Sequence, residues 1–210
     1  MKNVQFLVGV VLAHFYLLVS SAFSQEPVPA PVYKDGDYWR VKVETWRPTG
    51  ISVSGACSEA YGEYLVKIDG GEPKVFGIKG DQPEEIDCPS IVSQVLGITK
   101  SGDILLKFPM RLGLAWSGRF YRSIRGLQGA WVDAQYEVQS WEKIRTPKGT
   151  FEAYKIVKTI TGRQFTGPGP SSPQIWTYYY SPQLKAIIYY GTEAATFKGT
   201  STLVDFNVSQ

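Results

Sequence analysis

From Asp37 to the C-terminus, apolar and polar residues alternate in short runs separated by glycine, proline and acidic clusters, and no long stretch carries helical periodicity. Successive side chains of a strand point to opposite faces, so a period of two describes half-buried strands. Trp39, Val41, Val43 and Thr45 alternate in this way with Tyr38, Arg40, Lys42 and Glu44. Strands expected from Tyr61 to Ile68 and from Lys74 to Ile78 flank D-G-G-E-P, a hairpin turn whose glycines can take positive φ and whose Pro73 limits pairing. Further strands are expected at Asp103 to Phe108, Ala115 to Ile124, Ala130 to Ile144, Thr150 to Thr161, Gln174 to Ser181, Leu184 to Gly191 and Thr202 to Val208. The acidic stretch D-Q-P-E-E-I-D reads as a turn. One short helix is expected from Ser90 to Leu96, with Ser90 capping its start and Gly97 its end. With 21 Gly and 13 Pro, the pattern describes an all-β fold: a single antiparallel domain, a curved half-barrel or a sandwich, with at most one short helix.

The first 24 residues read as a signal peptide. Lys2 supplies the positive n-region, Phe6 to Val19 the apolar h-region, and Ala22-Phe23-Ser24 the small residues before a cleavage site at Gln25. An uncleaved anchor is the alternative. No cysteine follows the apolar run closely, which argues against bacterial lipidation. Residues 25–36 form a Pro-rich lead-in and 37–210 the antiparallel domain, long enough to bury one sizeable core. The expected location is periplasmic or secreted, with no transmembrane span after signal cleavage.

His14, the only histidine, lies inside that leader. Cleavage therefore leaves a chain without histidine, removing Ser-His-Asp and Cys-His catalysis, the common zinc sites and imidazole-based pH switching. No nucleotide-binding motif occurs, and catalytic residues, metal and cofactor are all expected to be none. The formal charge of +3 is spread without blocks of like sign, which argues against nucleic acid as a partner. Arg119, Arg122 and Arg125 interleave with Phe120 and Tyr121, but in a strand Arg122 faces opposite to the other two. Asp81, Glu84, Glu85 and Asp87 lack the loop pattern that arranges carboxylates around Ca²⁺. Cys57 and Cys88 are the only cysteines, and in an oxidising compartment a disulfide between them is expected.

Three segments resemble a family of bacterial exported β-rich proteins of unknown function. They are F-P-M-R-L-G-L-A-W from Phe108, I-R-T-P-K-G-T-F-E-A-Y-K-I from Ile144 and Y-Y-Y-S-P-Q-L-K-A-I-I-Y-Y from Tyr178. The corresponding family runs look like F-P-L-x-V-G-K-x-W, V-P-A-G-T-F-x-A-x-K-V and W-Y-S-P-x-V-G-x-I-V-K-Y. The chain departs from them at Lys148, where the family favours a small residue, and at Lys185, where it favours Gly. The resemblance implies an envelope location and a curved antiparallel sheet, and it implies no activity.

Trp176, Tyr178 and Tyr180 alternate, so a strand places them on one face. With Trp116 they are the expected ligand-binding residues, either as the aromatic wall of a cavity or as ordinary cross-strand packing. The leading functional expectation is non-enzymatic binding of a hydrophobic or amphipathic, lipid-like molecule in a curved sheet, which leaves several of these rings accessible. The first alternative is an envelope structural or protein-interaction module that uses a sheet edge. A histidine-free hydrolase with paired carboxylates, such as Glu142 and Glu152, is the remaining alternative and requires the pair to share a cleft.

Overall fold

A computed structural model of the chain describes residues 26–46, 62–99, 102–124, 127–163, 174–194 and 197–210. The ten strands are β1 (Tyr38–Trp46), β2 (Glu63–Asp69), β3 (Glu72–Lys79), β4 (Gln82–Ile86), β5 (Ala115–Ile124), β6 (Leu127–Thr146), β7 (Gly149–Arg163), β8 (Gln174–Ser181), β9 (Ala186–Ala194) and β10 (Phe197–Asn207). Among the described residues one helix, α1 (Pro89–Leu96), lies between β4 and β5. All ten strands form one open antiparallel sheet in the order β4-β3-β2-β1-β10-β9-β8-β7-β6-β5, so the two-sheet sandwich gives way to a single unclosed sheet. Every neighbouring pair is a sequential hairpin except β1 with β10, which joins Trp39 to Phe206.

Local sequence accounts for most of these elements. Asp69 pairs with Glu72 across Gly70 and Gly71, whose φ values of 63° and 79° are those of a two-residue hairpin turn matched to the twist of the strands. Pro73 does not interrupt β3: it stands opposite Ile68 inside the ladder. Along β6, Val132, Ala134, Tyr136 and Val138 are buried while Trp131, Asp133, Gln135 and Glu137 are exposed, an unbroken period of two. Helix α1 starts after Cys88 with no side-chain cap, so Ser90 does not play the capping role expected of it. Gly97 ends the helix in the left-handed conformation, φ 69°, and returns its N–H to the Ser93 carbonyl.

Two expectations fail for identifiable reasons. The acidic stretch read as a turn contains β4, whose Gln82, Pro83, Glu84 and Glu85 are all exposed, so no alternation betrays it. The strand expected from Asp103 to Phe108 is irregular backbone. Its apolar side chains do not extend the sheet but lie across it.

A single sheet must bury its apolar face under something else. At the β1–β3 end the cover is α1, whose Ile91, Val95 and Leu96 join Trp39, Val41, Tyr64, Val66 and Val75 in one core cluster. The Trp39 indole is wholly buried and donates to the Leu184 carbonyl at 2.7 Å. At the β5–β9 end the cover is the irregular segment 102–114, which brings Leu105 and Met110 onto Trp116, Phe120, Tyr136, Ile156 and Tyr180. Met110 is pinned from outside by an antiparallel bridge to Val28 of the lead-in.

Candidate functional site

The antiparallel register aligns one cross-strand row on the covered face: Trp116 of β5, Tyr136 of β6, Lys158 of β7, Trp176 of β8 and Thr192 of β9. Directly opposed residues share a face and touch, so this row is a structural unit. Trp116 stacks on Tyr136 with ring centroids 5.1 Å apart and planes within 3°. Lys158 stands where an apolar residue belongs. Its neighbours on the same side of β7 are Ile156 and Ile160, both buried, and it is itself only 5% exposed.

The Lys158 ammonium is surrounded by π faces, 4.5 Å from the Phe120 ring centroid, 5.3 Å from Tyr136 and 5.9 Å from Trp176. Such contacts strengthen as water is excluded, to about 2 kcal/mol when desolvated. Its charge is met by Asp103 of the covering segment, at 2.5 Å, with side-chain exposures of 6% for the lysine and 13% for the aspartate. The other Asp103 oxygen accepts from the Tyr136 hydroxyl. Burial, followed by the hydrogen bond to Asp103 and the aspartate's charge, pushes the Tyr136 phenol well above its ordinary pKa. Trp116 completes the attachment, its indole N–H donating to the Ile104 carbonyl at 2.7 Å.

The four rings singled out from sequence are all placed on this face, but not around an open pocket. Tyr180 is 1% exposed, Tyr178 4% and Trp116 9%, and only Trp176 is half-buried. Tyr178 stacks on Tyr190 at 5.1 Å, and Phe108 of the covering segment meets Tyr180 edge-on at 5.6 Å. Segment 102–114 therefore fills the space that was expected to receive a ligand. Sequence reasoning missed Lys158, Asp103 and Tyr136. The signal for Lys158 was available, since it falls in phase with Tyr154, Ile156 and Ile160.

Other sequence candidates separate. Glu142 stands opposite Ala153 and Glu152 opposite Lys143, so the two carboxylates point to opposite faces of the hairpin and share no cleft. Glu142 instead accepts from Ser140 at 2.5 Å. Arg119 is exposed, 3.5 Å from Asp133 and 5.8 Å from the Trp131 ring centroid. Arg125 lies outside the described residues. Cys88 is buried at the start of α1, and Cys57 also lies outside the described residues. Among the described residues no group of three potential metal ligands comes together, and no helix is long and apolar enough to cross a membrane.

The sheet edges differ. β4 is five residues long, carries Pro83 and exposes two glutamates, features that blunt an edge against pairing. β5 is ten residues long, contains no proline and has no strand beyond it among the described residues. On the solvent-facing side of the sheet Tyr121 of β5 and Trp131 of the neighbouring β6 form an edge-on pair, 47% and 51% exposed.

Fold and site together define an open single-sheet antiparallel β protein whose aromatic face is closed by its own chain over one buried ion pair. No known protein family matches the sequence, and no curated protein does. Among solved structures, the chain is similar to a Bacteroides fragilis protein described as exported, with a YmcC-like fold (14% identity, TM-score 0.43, covering 86% of this chain and 99% of that one). It is also similar to a Parabacteroides distasonis protein described as a lipoprotein (12%, 0.41, 87% and 100%) and to the hypothetical lipoprotein YmcC of Escherichia coli (9%, 0.42, 97% and 98%). Likenesses this distant are similarities of form and bear on neither ligand nor activity.

Proposed function

We propose that this is an exported, non-catalytic interaction protein that adds an extended, acidic segment of a partner protein to β5. The observation that carries this reading is the contrast between the two edges: β4 is short, acidic and proline-bearing, whereas β5 is long and, among the described residues, has no strand beyond it, beside an exposed Tyr121–Trp131 pair. In strand addition, main-chain hydrogen bonds supply affinity and side chains of the outer face supply specificity. The exposed Arg119 lies on β5, which carries no acidic residue, and this favours an acidic segment over a second copy of β5.

The test places a photo-crosslinking benzophenone side chain at position 121 in the producing cells, with position 72 as the control. A discrete protein adduct from 121 alone is expected, lost when a proline blocks the edge. N–H groups of adjacent strand residues point to opposite sides, so of Gly118→Pro and Arg119→Pro one removes only an outward donor and keeps the fold. Adducts that survive that proline, or none at all, defeat the proposal.

A second reading, an amphipathic molecule bound on the aromatic face beneath segment 102–114, is favoured by one specific observation, the charge of Lys158 among inward-facing rings.

A further inference from the structure

We propose that the Lys158 ammonium is the head-group site of a carboxylate-bearing amphiphile, and that the Asp103 carboxylate occupies this site while segment 102–114 is closed. The inference rests on the second functional reading and names the ligand chemistry it requires.

The first argument is the cost of Lys158. Desolvating an ion pair is expensive, and apolar residues of similar volume usually stabilise a core as well or better. A strand position flanked by buried Ile156 and Ile160 would be filled most cheaply by another branched aliphatic residue. A lysine there, ringed by Phe120, Tyr136 and Trp176, is instead a desolvated, preorganised receptor for one anion.

The second argument is where the anion comes from. Asp103 is not on a strand but on irregular backbone. The hydrogen bonds that hold residues 103 and 104 to the sheet come from Lys158, Tyr136 and Trp116, all members of the aromatic row. A segment outside the ladder, held by packing of Leu105 and Met110 and by these side-chain bonds, opens at lower free energy than a strand hydrogen-bonded on both sides. Exchange of one carboxylate for another also means that the lysine need not be left bare in the apolar interior.

The third argument is the order of groups along the segment. An acid at 103 is followed by Leu105, Leu106, Phe108 and Met110, all buried or half-buried against the rings, while Ile104, Lys107 and Pro109 face outward. An acid head followed by a continuous apolar body is also the arrangement of a long-chain carboxylate. The closed segment thus competes with such a molecule for the same lysine and the same rings, and as a tethered competitor it lowers the apparent affinity by the fraction of time it is closed.

The experiment titrates dodecanoate and dodecan-1-ol, each below its aggregation limit, into the purified chain, reading tryptophan fluorescence and bound mass by native mass spectrometry. Wild type is expected to prefer dodecanoate, and Asp103→Asn to bind dodecanoate at least tenfold more tightly than wild type. Because Asp103→Asn removes the carboxylate that meets the lysine's charge in the core, it can fail to fold. The double variant Asp103→Asn/Lys158→Met removes both charges and is expected to bind the alcohol at least as well as the carboxylate. Equal binding of the two probes by wild type overturns the head-group assignment and leaves the amphiphile reading standing. Absence of binding of either probe to wild type and to both variants overturns the two together.

Discussion

Lys185 holds a left-handed backbone, φ 52°, and its ammonium lies 4.0 Å from the Asp37 carboxylate. The same ammonium donates to the Val32 carbonyl at 2.9 Å and to the Ser209 carbonyl at 2.8 Å, tying the lead-in, the β8–β9 turn and the C-terminus together. The backbone explains why glycine suits this position, and the side chain explains why a lysine can hold it. Lys185→Gly relieves about 1–2 kcal/mol of backbone strain but removes two hydrogen bonds from a charged donor, each contributing about 1.5–3 kcal/mol. A net loss of about 1–5 kcal/mol is expected in urea denaturation, and a gain in stability would show that the clamp is ineffective.

Asp37 makes the clamp sensitive to acid. Burial alone would raise its carboxyl, but the amides of Ser209 and Lys34, the Ser209 side chain and the Lys185 charge outweigh it and hold the group below its usual pKa. A depressed folded-state pKa contributes stability that is present above the unfolded value, about 3.9, and lost as pH falls below it. Urea midpoints measured from pH 6 to pH 3 should therefore fall less steeply in Asp37→Asn than in wild type.

Gly97 closes α1 against the covering segment. A Cβ there would lie 2.5 Å from Leu106 Cδ1 and closer still to Cγ, whereas one at Gly71 would meet nothing within 4 Å. Both glycines have positive φ, 69° and 79°. Gly71→Ala should therefore report strain alone, about 1 kcal/mol, and Gly97→Ala strain plus overpacking, about 2–4 kcal/mol. Equal losses would mean that Leu106 yields without consequence.

A disulfide between Cys57 and Cys88 predicts a denatured mass two hydrogens below that of the reduced chain. In the chain-entropy account, such a loop contributes about 3–4 kcal/mol. Reduction, or Cys57→Ser/Cys88→Ser, should lower the unfolding midpoint accordingly. An unchanged mass on reduction would show two thiols.

Tyr136 sets an alkaline limit. Its phenol is raised by burial first and by Asp103 second, so its contribution is complete below the unfolded value near pH 10 and lost as pH rises beyond it. Tyr136→Phe should flatten the decline of the urea midpoint between pH 9 and pH 11.

Strands were legible wherever one face is buried and the other wet, as along β5 and β6, because burial writes its period into the side chains. β4 left no such trace. It is held by backbone pairing to β3, and its exposed side chains are those of a turn. Residues 103–108 show the converse, since an apolar alternation records only that one side is covered and not that a neighbouring strand exists. The shared face of Trp176, Tyr178 and Tyr180 was readable from spacing. Its cover was not, because contact between Asp103 and Lys158 spans 55 positions and obeys no local period.

The β1–β10 seam has a consequence for how the molecule is made. Eight hairpin neighbours could zip up in order as the chain emerges, but the central join must wait for the residues from Phe197 onward. Until then β1 offers an unsatisfied flank in the middle of the eventual sheet, and long-range pairings of this kind are slow. A polypeptide delivered across a membrane with its N-terminus leading would remain two unfinished halves until its last dozen residues arrived, so premature termination would leave an adhesive fragment and not a smaller version of the fold.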